Sequence, residues 1–283
     1  MLRNKKFTPV SRAIEDALGT SVLIVCALFF CSNAKESQKP EPRASTAAKS
    51  ATIKPNADNP STPLPVPFRV GEVLNYRLTW SVFLNAAYIQ LSVVERRDLF
   101  STPTWHFRAS AHSQVPLRSL AVVDDQFDSY AGIESLDSRQ YETYLDELGE
   151  KQSTVLHLES TTLPKKNRPS TVLVKPHTHD PLAALYLLRT IDWQHTLEFR
   201  APVYDGEDLY EMSARLESAA ELISISGRNM NAAKISVHLF RGGQESRTKC
   251  SIWFSQDVAR IPVLIEADVP YGRVRAELVS KIE

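Results

Sequence analysis

The feature that most constrains this chain is a period of two in its apolar residues, which recurs between residue 68 and the C-terminus. In the segment VLNYRLTW, Leu74, Tyr76, Leu78 and Trp80 alternate with more polar residues, which is typical of a strand with one buried face. Such runs predict a mainly β domain with one antiparallel sheet of about ten strands, rolled or barrel-like so that one face is buried. The next run is 89–93, and we expect the hairpin turn before it at Asn85–Ala86. The other runs are 105–112, 154–159, 197–203, 222–226, 235–240, 250–255, 263–267 and 274–279.

One segment, HDPLAALYLLRTID, breaks this alternation and has helical spacing. Asp180 is suited to the N-cap of a helix and Pro181 to its first position. Apolar residues occupy most sides of the segment that follows, so we predict one buried helix near residues 181–190. We expect this helix to lie across the concave face of the sheet or to close one of its ends.

Residues 1–34 have the form of a signal peptide. Basic residues precede the apolar stretch Ala17–Phe30, which is too short to span a bilayer comfortably. Small residues before Ala34 predict cleavage after it. Two alternatives stay open, an uncleaved membrane anchor and a lipoprotein with its lipid on Cys31. All three readings predict an exported protein that is periplasmic or associated with the outer envelope.

The segment 35–66 is rich in Pro, Ala and Ser and contains neither glycine nor an aromatic residue. It cannot bury enough apolar surface to offset the entropy of ordering, so we predict a semi-extended linker. Residues 67–283 are then expected to form a single β-rich domain. Of the cysteines, only Cys250 lies in this domain, and its alternation with Ile252 and Phe254 predicts a small core residue.

The charge balance bears on the partners of the chain. Lys+Arg and Asp+Glu are equal at 33 each, and the chain from residue 67 onward is mildly acidic. Nothing in this distribution would neutralise a run of phosphates, so we expect no nucleic-acid partner. We expect membrane contact only through the N-terminal segment, if that segment is not cleaved.

Two stretches contain residues that could bind a ligand or a metal. His177 and His179 would share one face of a strand and are weak candidates for metal ligands, but a site would need further ligands from distant residues. We therefore predict no metal and no cofactor. His106, Arg108, Ser110 and His112 form a polar strip along one strand. This polar strip is expected to face solvent, or, in a closed barrel, to line a cavity for an anionic ligand.

The stretch SIWFSQDVARIPVLIE, residues 251–266, predicts a strand, a turn and a second strand. Asp257 suits the turn, where its carboxylate can accept backbone N–H groups, and Arg260 is close enough in sequence to pair with it. Pro262 is expected at a strand start or a sheet edge because it cannot donate a ladder hydrogen bond. The alternative is that Trp253 and Arg260 contact a ligand.

Three further segments are informative by their order and spacing, and they are Val70–Tyr76 with Trp80, Asp180–Tyr186 with Arg189, and Trp253–Ser255 with Asp257, Arg260 and Pro262. Together they resemble an exported bacterial family, domain of unknown function 3108. The resemblance covers the chain from about Phe68 to Glu283, although Asn85–Ala87 stands where a glycine-containing turn is expected. It implies a mostly β, secreted or periplasmic domain and supplies no catalytic residues.

These observations predict a non-enzymatic exported domain. The chain has no nucleophile elbow, Gly-rich phosphate loop or paired zinc-knuckle cysteines. We expect it to bind an apolar or amphipathic small ligand in the concavity of its sheet, or an envelope protein. The alternatives are a metal-dependent hydrolase that uses His177 and His179, and a purely structural assembly factor. The candidate ligand-binding residues are Trp253, Arg260, His106, Arg108 and His112.

Overall fold

The computed structural model describes residues 66–160, 171–269 and 272–282. The predicted signal peptide, and the predicted linker except for its last residue, lie outside the described residues. In the part of the chain that is described, no helix is both long enough and apolar enough to cross a membrane.

The described chain is mostly β-structure with one α-helix and a short 3-10 helix, Leu117–Ser119. The strands are β1 (Val73–Trp80), β2 (Phe83–Leu99), β3 (Thr102–Ser113), β4 (Asp124–Gly132), β5 (Ser138–Glu147), β6 (Glu150–Ser160), β7 (Thr171–Val174), β8 (Glu198–Tyr204), β9 (Leu209–Ile225), β10 (Arg228–Arg241), β11 (Gln244–Glu245), β12 (Lys249–Ser255), β13 (Pro262–Val269) and β14 (Gly272–Ile282). The helix α1 is Pro181–Thr190.

All the strands belong to one 14-stranded sheet, whose order is β7-β6-β5-β4-β3-β2-β1-β14-β13-β12-β10-β9-β8, with β11 beside β10. Strand β1 pairs with β14, so the two ends of the domain meet in the middle of the sheet. The pairs are antiparallel except for β6 and β7, which are parallel. The predicted mainly β, barrel-like sheet is confirmed, with more strands than the sequence predicted.

The segment between β7 and α1 nearly closes the sheet into a barrel. The Ser138 N–H, at the start of β5, donates to the Thr178 carbonyl (3.0 Å). The next residue, His179, donates its N–H to the Pro202 carbonyl of β8 (3.0 Å) and accepts from the Tyr204 N–H (2.9 Å). The segment therefore ties β5 to the edge strand β8 and covers part of an edge that would otherwise be open.

The inner face of the barrel holds the core that the alternation predicted. Leu74, Tyr76, Leu78 and Trp80 are all buried on it, as expected from their spacing. Arg77 lies on the opposite face, where its guanidinium pairs with Glu277 (3.2 Å). The predicted facing of β1 is therefore confirmed.

Helix α1 packs against the inner face, as its apolar surface requires. Asp180 is the N-cap, and its Oδ1 accepts from the N–H groups of Leu182 and Ala183 (both 2.9 Å). The Tyr186 ring stacks on Phe107 with 3.9 Å between centroids, so side chains fill the concave face beside the helix. The predicted cap and the predicted burial of the helix are confirmed.

The turn between β1 and β2 differs from the prediction. It lies at Ser81–Val82, where Trp80 pairs with Phe83, and not at Asn85–Ala86. Ala86 is fully buried, and a small apolar residue of this kind is accommodated in the packed strand. The expected turn at Asn85–Ala86 is therefore wrong because tertiary packing extends β2 through it.

Candidate functional site

The polar strip of β3 lies on the outer face of the barrel. Its neighbours in the strand, Trp105 and Phe107, are buried on the inner face, and successive strand residues point to opposite faces. The expectation that the polar strip could line a cavity inside a closed barrel is therefore wrong. His112 is exposed, as predicted for a solvent-facing strip, whereas His106 is buried.

Asp128 of β4 organises the outer face around the polar strip. Its buried carboxylate accepts from His106 Nε2 (2.5 Å), Arg108 Nε (2.7 Å) and Gln126 Nε2 (2.6 Å). Burial alone would raise the pKa of Asp128, but the hydrogen bonds from His106, Arg108 and Gln126 outweigh it and hold the pKa below its ordinary value. The carboxylate is thus a fixed negative centre with its acceptor sites occupied.

The His106 side chain is fixed within this network by packing against neighbouring side chains. Its ring stacks on Tyr130 with 4.4 Å between centroids, and the Arg97 guanidinium lies over the Tyr130 ring at 4.9 Å. The His106 Nδ1 atom is buried 3.7 Å from Glu95 Oε1 and has no hydrogen-bond partner among the residues that the structure describes. Because Nδ1 is closed to solvent, this imidazole is not placed to exchange protons with a bound molecule.

A cleft of about 650 Å³ opens on the outer face beside this network. Tyr144 of β5 is partly exposed on its wall, and its hydroxyl donates to Glu142 Oε2 (2.6 Å). That hydrogen bond raises the pKa of Tyr144 to about 12. The side chains that line the cleft include Gln90, Arg108, Ser110, His112, Gln126, Tyr144, Lys151, Gln152 and Ser153.

Two acidic side chains at the cleft, Asp124 and Asp146, have partners of opposite charge. Asp124 accepts two hydrogen bonds from Arg118 (both 2.8 Å) and one from His112 Nδ1 (2.9 Å). The hydrogen bond from Arg118 is the main cause that lowers the pKa of Asp124 to about 2. Asp146 pairs with Lys151 (3.0 Å). Charges at the cleft are therefore largely neutralised within the protein.

A pair of carboxyl groups lies below the same cleft. Asp125 is only 1% exposed, and neither its Oδ2 nor Glu147 Oε1 has a hydrogen-bond donor among the described residues. Burial, followed by the charge of the neighbouring Glu147, raises the pKa of Asp125 to about 8. The raised pKa favours a proton on this carboxyl pair at neutral pH, and Asp125 can donate it to Glu147.

Trp253 lies in a second outer cleft of about 570 Å³, formed by β9, β10, β12, β13 and β14. The indole is only 5% exposed, and Lys234 Nζ lies over it at 5.2 Å. Arg275 crosses this cleft and pairs with Glu266 and Glu277. The ring is thus largely covered by the protein, which leaves little of it for a ligand.

Arg260 lies elsewhere and has a structural partner. Its guanidinium donates to the carbonyls of Arg189 and Thr190 at the end of α1 (both 3.4 Å). The predicted pairing of Arg260 with Asp257 is therefore wrong, because the helix C-terminus attracts the cation. Asp257 does occupy the predicted turn, where its Oδ1 accepts from Ser255 Oγ (2.8 Å) and the Ala259 N–H (3.1 Å).

His177 and His179 have different surroundings and do not share a site. His177 is exposed and lies near Asp137 (3.3 Å), whereas His179 is buried with Nδ1 on the Leu136 carbonyl (2.7 Å). Burial is the main cause that lowers the pKa of His179. Among the described residues, no group of three or more His, Cys, Asp or Glu side chains is arranged to hold a metal ion.

The three segments that carry the family resemblance converge on the end of α1. Arg189 pairs with Glu72 (2.6 and 3.1 Å), and both side chains are buried. It also donates to the carbonyl of Ala259, which is partly buried (3.0 Å). Tyr76 donates to the Pro262 carbonyl (2.7 Å), and Pro262 begins β13 as predicted. These residues fix the helix to the barrel and do not line the cleft of β2–β6.

Sequence reasoning identified part of the outer-face site. It named His106, Arg108 and His112, which lie together, and Trp253 and Arg260, which do not join them. It missed Asp128, Gln126 and Tyr144, which lie on β4 and β5. The alternating polar residues of DQFDSY were the available signal for β4, but acidic and hydroxyl side chains at inward positions hid the strand.

The family described as protein of unknown function (DUF3108) matches residues 75–279. No curated protein matches the chain.

Three solved structures are similar to the chain at low identity. One is a beta-barrel-like protein of domain of unknown function DUF1849 from Brucella abortus, with a TM-score of 0.47, 11% identity and coverage of 75% of this chain and 97% of that chain. A second, provisionally described as a lipoprotein from Parabacteroides distasonis, has a TM-score of 0.36, 12% identity and coverage of 77% and 98%. A third, provisionally described as an exported protein with a YmcC-like fold from Bacteroides fragilis, has a TM-score of 0.31, 8% identity and coverage of 78% and 100%.

Proposed function

Because the chain belongs to the DUF3108 family of proteins of unknown function, we propose a role from its own geometry. The protein is an exported, non-enzymatic domain that binds a neutral, hydroxyl-rich ligand of the cell envelope, such as a saccharide, in the cleft of about 650 Å³ over β2–β6.

The observation that carries this proposal is the internal neutralisation of the charges at the cleft. Arg108 bonds to Asp128 (2.7 Å), Lys151 to Asp146 (3.0 Å), and Asp124 to Arg118 and His112. A charged ligand would have to compete with these pairs, whereas a neutral ligand can use their remaining donor and acceptor positions. Hydroxyl groups are both donors and acceptors, so they match such a surface.

The other side chains of the cleft suit the same ligand. Amide groups come from Gln90, Gln126 and Gln152, and a hydroxyl group comes from Ser153. Tyr144, 38% exposed, adds an aromatic surface against which a sugar ring can pack. The arrangement supports recognition by several hydrogen bonds and one apolar contact.

The hydrogen bonds of Asp128 and the burial of His106 favour binding without catalysis. The Asp128 carboxylate already accepts three hydrogen bonds, and His106 Nδ1 is buried. A general acid or base must reach the proton that it transfers, and this pair is engaged in holding β3 against β4.

The location of the ligand differs from the sequence expectation. The sequence predicted an apolar or amphipathic ligand in the concavity of the sheet. Beside α1, however, Tyr186, Phe107 and Phe68 pack against each other in that concavity. The outer cleft is lined mostly by polar side chains, so we place the ligand there.

A glycan-array screen followed by calorimetry on the full chain tests the proposal. We expect a neutral oligosaccharide to bind, and Tyr144→Ala to weaken that binding by about tenfold, since an aromatic contact is worth about 1 kcal/mol or more. Phe100→Ala is the matched control, because Phe100 is an exposed aromatic residue outside the cleft. Binding of charged sugars alone, or equal effects of the two variants, would contradict the proposal.

A second role, that of a structural assembly factor, is supported by one specific observation. The segments that carry the family resemblance meet at Glu72, Arg189 and Ala259, where they pack around α1 and do not line the cleft. For such a factor, the stable barrel itself would be the functional feature. Under this alternative, no saccharide binds, and a protein partner copurifies with the chain at a fixed stoichiometry.

Export is part of the proposal and rests on the N-terminal sequence pattern. We expect the mature chain to begin at Lys35, since small residues precede the predicted cleavage site after Ala34. N-terminal sequencing of the protein from cells distinguishes this from retention of Met1 as an anchor and from a lipid on Cys31.

A further inference from the structure

Three neighbouring connections lie at one end of the barrel. These are the turn at Ser81–Val82, the connection 114–123 between β3 and β4, and the turn at Leu148–Gly149. The Leu148 N–H donates to the Val122 carbonyl (2.9 Å), and the Gln114 N–H donates to the carbonyl of Ala86 in β2, four residues beyond the first turn (2.8 Å). The three connections therefore lie side by side.

This surface exposes large aliphatic side chains on every connection. Val82 is 81% exposed and Leu84 79% exposed, and neither packs into the core. We call the group the apolar end, and its members are Val82, Leu84, Val115, Leu120, Val122 and Leu148. Connections at a protein surface are usually polar, so a contiguous group of this kind calls for an apolar partner.

Charge is sparse on the apolar end. The segments 81–86 and 114–123, SVFLNA and QVPLRSLAVV, contain one charged residue, Arg118, and the turn at Leu148–Gly149 is flanked by Glu147 and Glu150. The Arg118 guanidinium makes a bidentate pair with Asp124 (both 2.8 Å). Beside the apolar end, Arg273 pairs with Asp268 (2.9 Å) and Lys151 with Asp146 (3.0 Å).

The residue types favour lipid as the partner. Interface hot spots between proteins are enriched in Trp, Tyr and Arg, whereas Leu and Val are under-represented in them. The apolar end consists of Leu and Val side chains, and none of its six members is a Trp, Tyr or Arg. Aliphatic side chains are suited to hydrocarbon, and neutralised pairs suit zwitterionic headgroups.

We propose that the apolar end inserts its Val and Leu side chains into the outer part of a lipid bilayer with zwitterionic headgroups. The sequence had predicted membrane contact only through an uncleaved N-terminal segment. The apolar end lies in the folded domain, so this contact is separate from any N-terminal anchor. It adjoins the cleft proposed for the saccharide, since the Arg118–Asp124 and Lys151–Asp146 pairs lie beside both.

The test must report on the apolar end and not on the N-terminus. Leu120→Trp in the full chain places a fluorophore at the apolar end, and the four native tryptophans are all buried. Val258→Trp is the matched control, at an exposed aliphatic position in the turn between β12 and β13. The vesicles are phosphatidylcholine with brominated acyl chains, which quench only fluorophores that reach the hydrocarbon.

We expect bromolipid to quench the added tryptophan at position 120 and to leave the one at position 258 unquenched. Quenching should persist at high salt, because salt screens interactions between charges and the insertion of Val and Leu side chains does not depend on them. Adding Val82→Asp and Leu148→Asp to the Leu120→Trp chain should reduce the inserted fraction roughly tenfold. Val82→Ser with Leu148→Ser provides a milder version if the aspartates impair folding, which the urea midpoint of each variant would reveal.

Three results would overturn the inference. One is that bromolipid does not quench the tryptophan at position 120. Another is that the tryptophans at positions 120 and 258 are quenched equally, as they would be if the N-terminus alone held the chain on the vesicle. The third is a concentration-dependent blue shift of the position-120 emission without lipid, which would show that the apolar end binds a second copy.

Discussion

Replacing Arg189 by methionine tests whether the buried pair at the end of α1 holds the helix to the barrel. Arg189 and Glu72 side chains are 1% and 3% exposed, and the guanidinium donates to both Glu72 oxygens and to the Ala259 carbonyl. Arg189→Met would leave the Glu72 carboxylate buried without its counter-charge. Removing one partner of a buried pair costs about 3–5 kcal/mol, and we expect a loss of stability in that range.

The loss should be measured as a shift of the urea or thermal midpoint of the full chain. For a domain of this size, each kcal/mol lowers the melting temperature by about 2–4 °C, so a decrease of roughly 6–20 °C is expected. Arg77→Ala is the control, because Arg77 forms a partly exposed pair with Glu277 on the outer face. Exposed pairs contribute about 0–1 kcal/mol, so that variant should be nearly silent.

The double variant Glu72→Leu with Arg189→Met tests whether the loss of stability comes from the orphaned buried charge. With both charges removed, no orphan charge stays buried, so the double variant should be more stable than Arg189→Met alone. The reasoning would be refuted if Arg189→Met cost no more than Arg77→Ala, or if the cost of the double variant equalled the sum of the two single costs.

Three further predictions follow from buried or capping side chains. Because the pKa of Asp125 is raised to about 8, the folded chain holds a proton that the unfolded chain releases above about pH 4. The free energy of unfolding should therefore fall as the pH rises from about 4 to 8, by at most about 1.4 kcal/mol per pH unit. Urea titrations at several pH values measure this slope, and Asp125→Asn should remove it. Trp80→Ala should cost about 3–5 kcal/mol in urea unfolding because Trp80 is only 8% exposed on the inner face, and a silent variant would contradict that facing. Asp257→Ala should lower the free energy of unfolding by about 0.5–2 kcal/mol, and Asp257→Asn by less, since an amide oxygen still accepts from the Ala259 N–H. A stable Asp257→Asn protein that no longer binds its ligand would instead assign Asp257 to a binding or catalytic site.

The sequence by itself determined the features that depend on near neighbours. Alternation placed Leu74 and Trp80 on the buried face of β1, and the Asp180-Pro181 pair marked the start of α1. The turn at Asp257 also followed from its residue types. In each case, steric preferences and hydrogen bonds within a few residues are sufficient, so no knowledge of distant strands is needed.

Strands β4 and β5 were not predicted from the local sequence pattern. Inward positions of these strands hold Asp125, Ser129 and Ser138, so their alternation does not look apolar. Ser129 and Ser138 donate to Asp180, and Asp125 lies beside Glu147. Polar groups can lie on a buried face when partners from distant segments satisfy them, and the sequence does not show those partners.

Only the tertiary structure decided the closure of the barrel and the composition of its surfaces. His179 joins the edge of β8, His106 becomes buried on Asp128, and Arg260 bonds to the end of α1 and not to Asp257. The apolar end likewise exists because three separate connections meet at one end of the sheet. The physical reason is that strand register and pairing bring together residues far apart in the chain, and these contacts, not local propensity, determine which side chain is buried, neutralised or exposed.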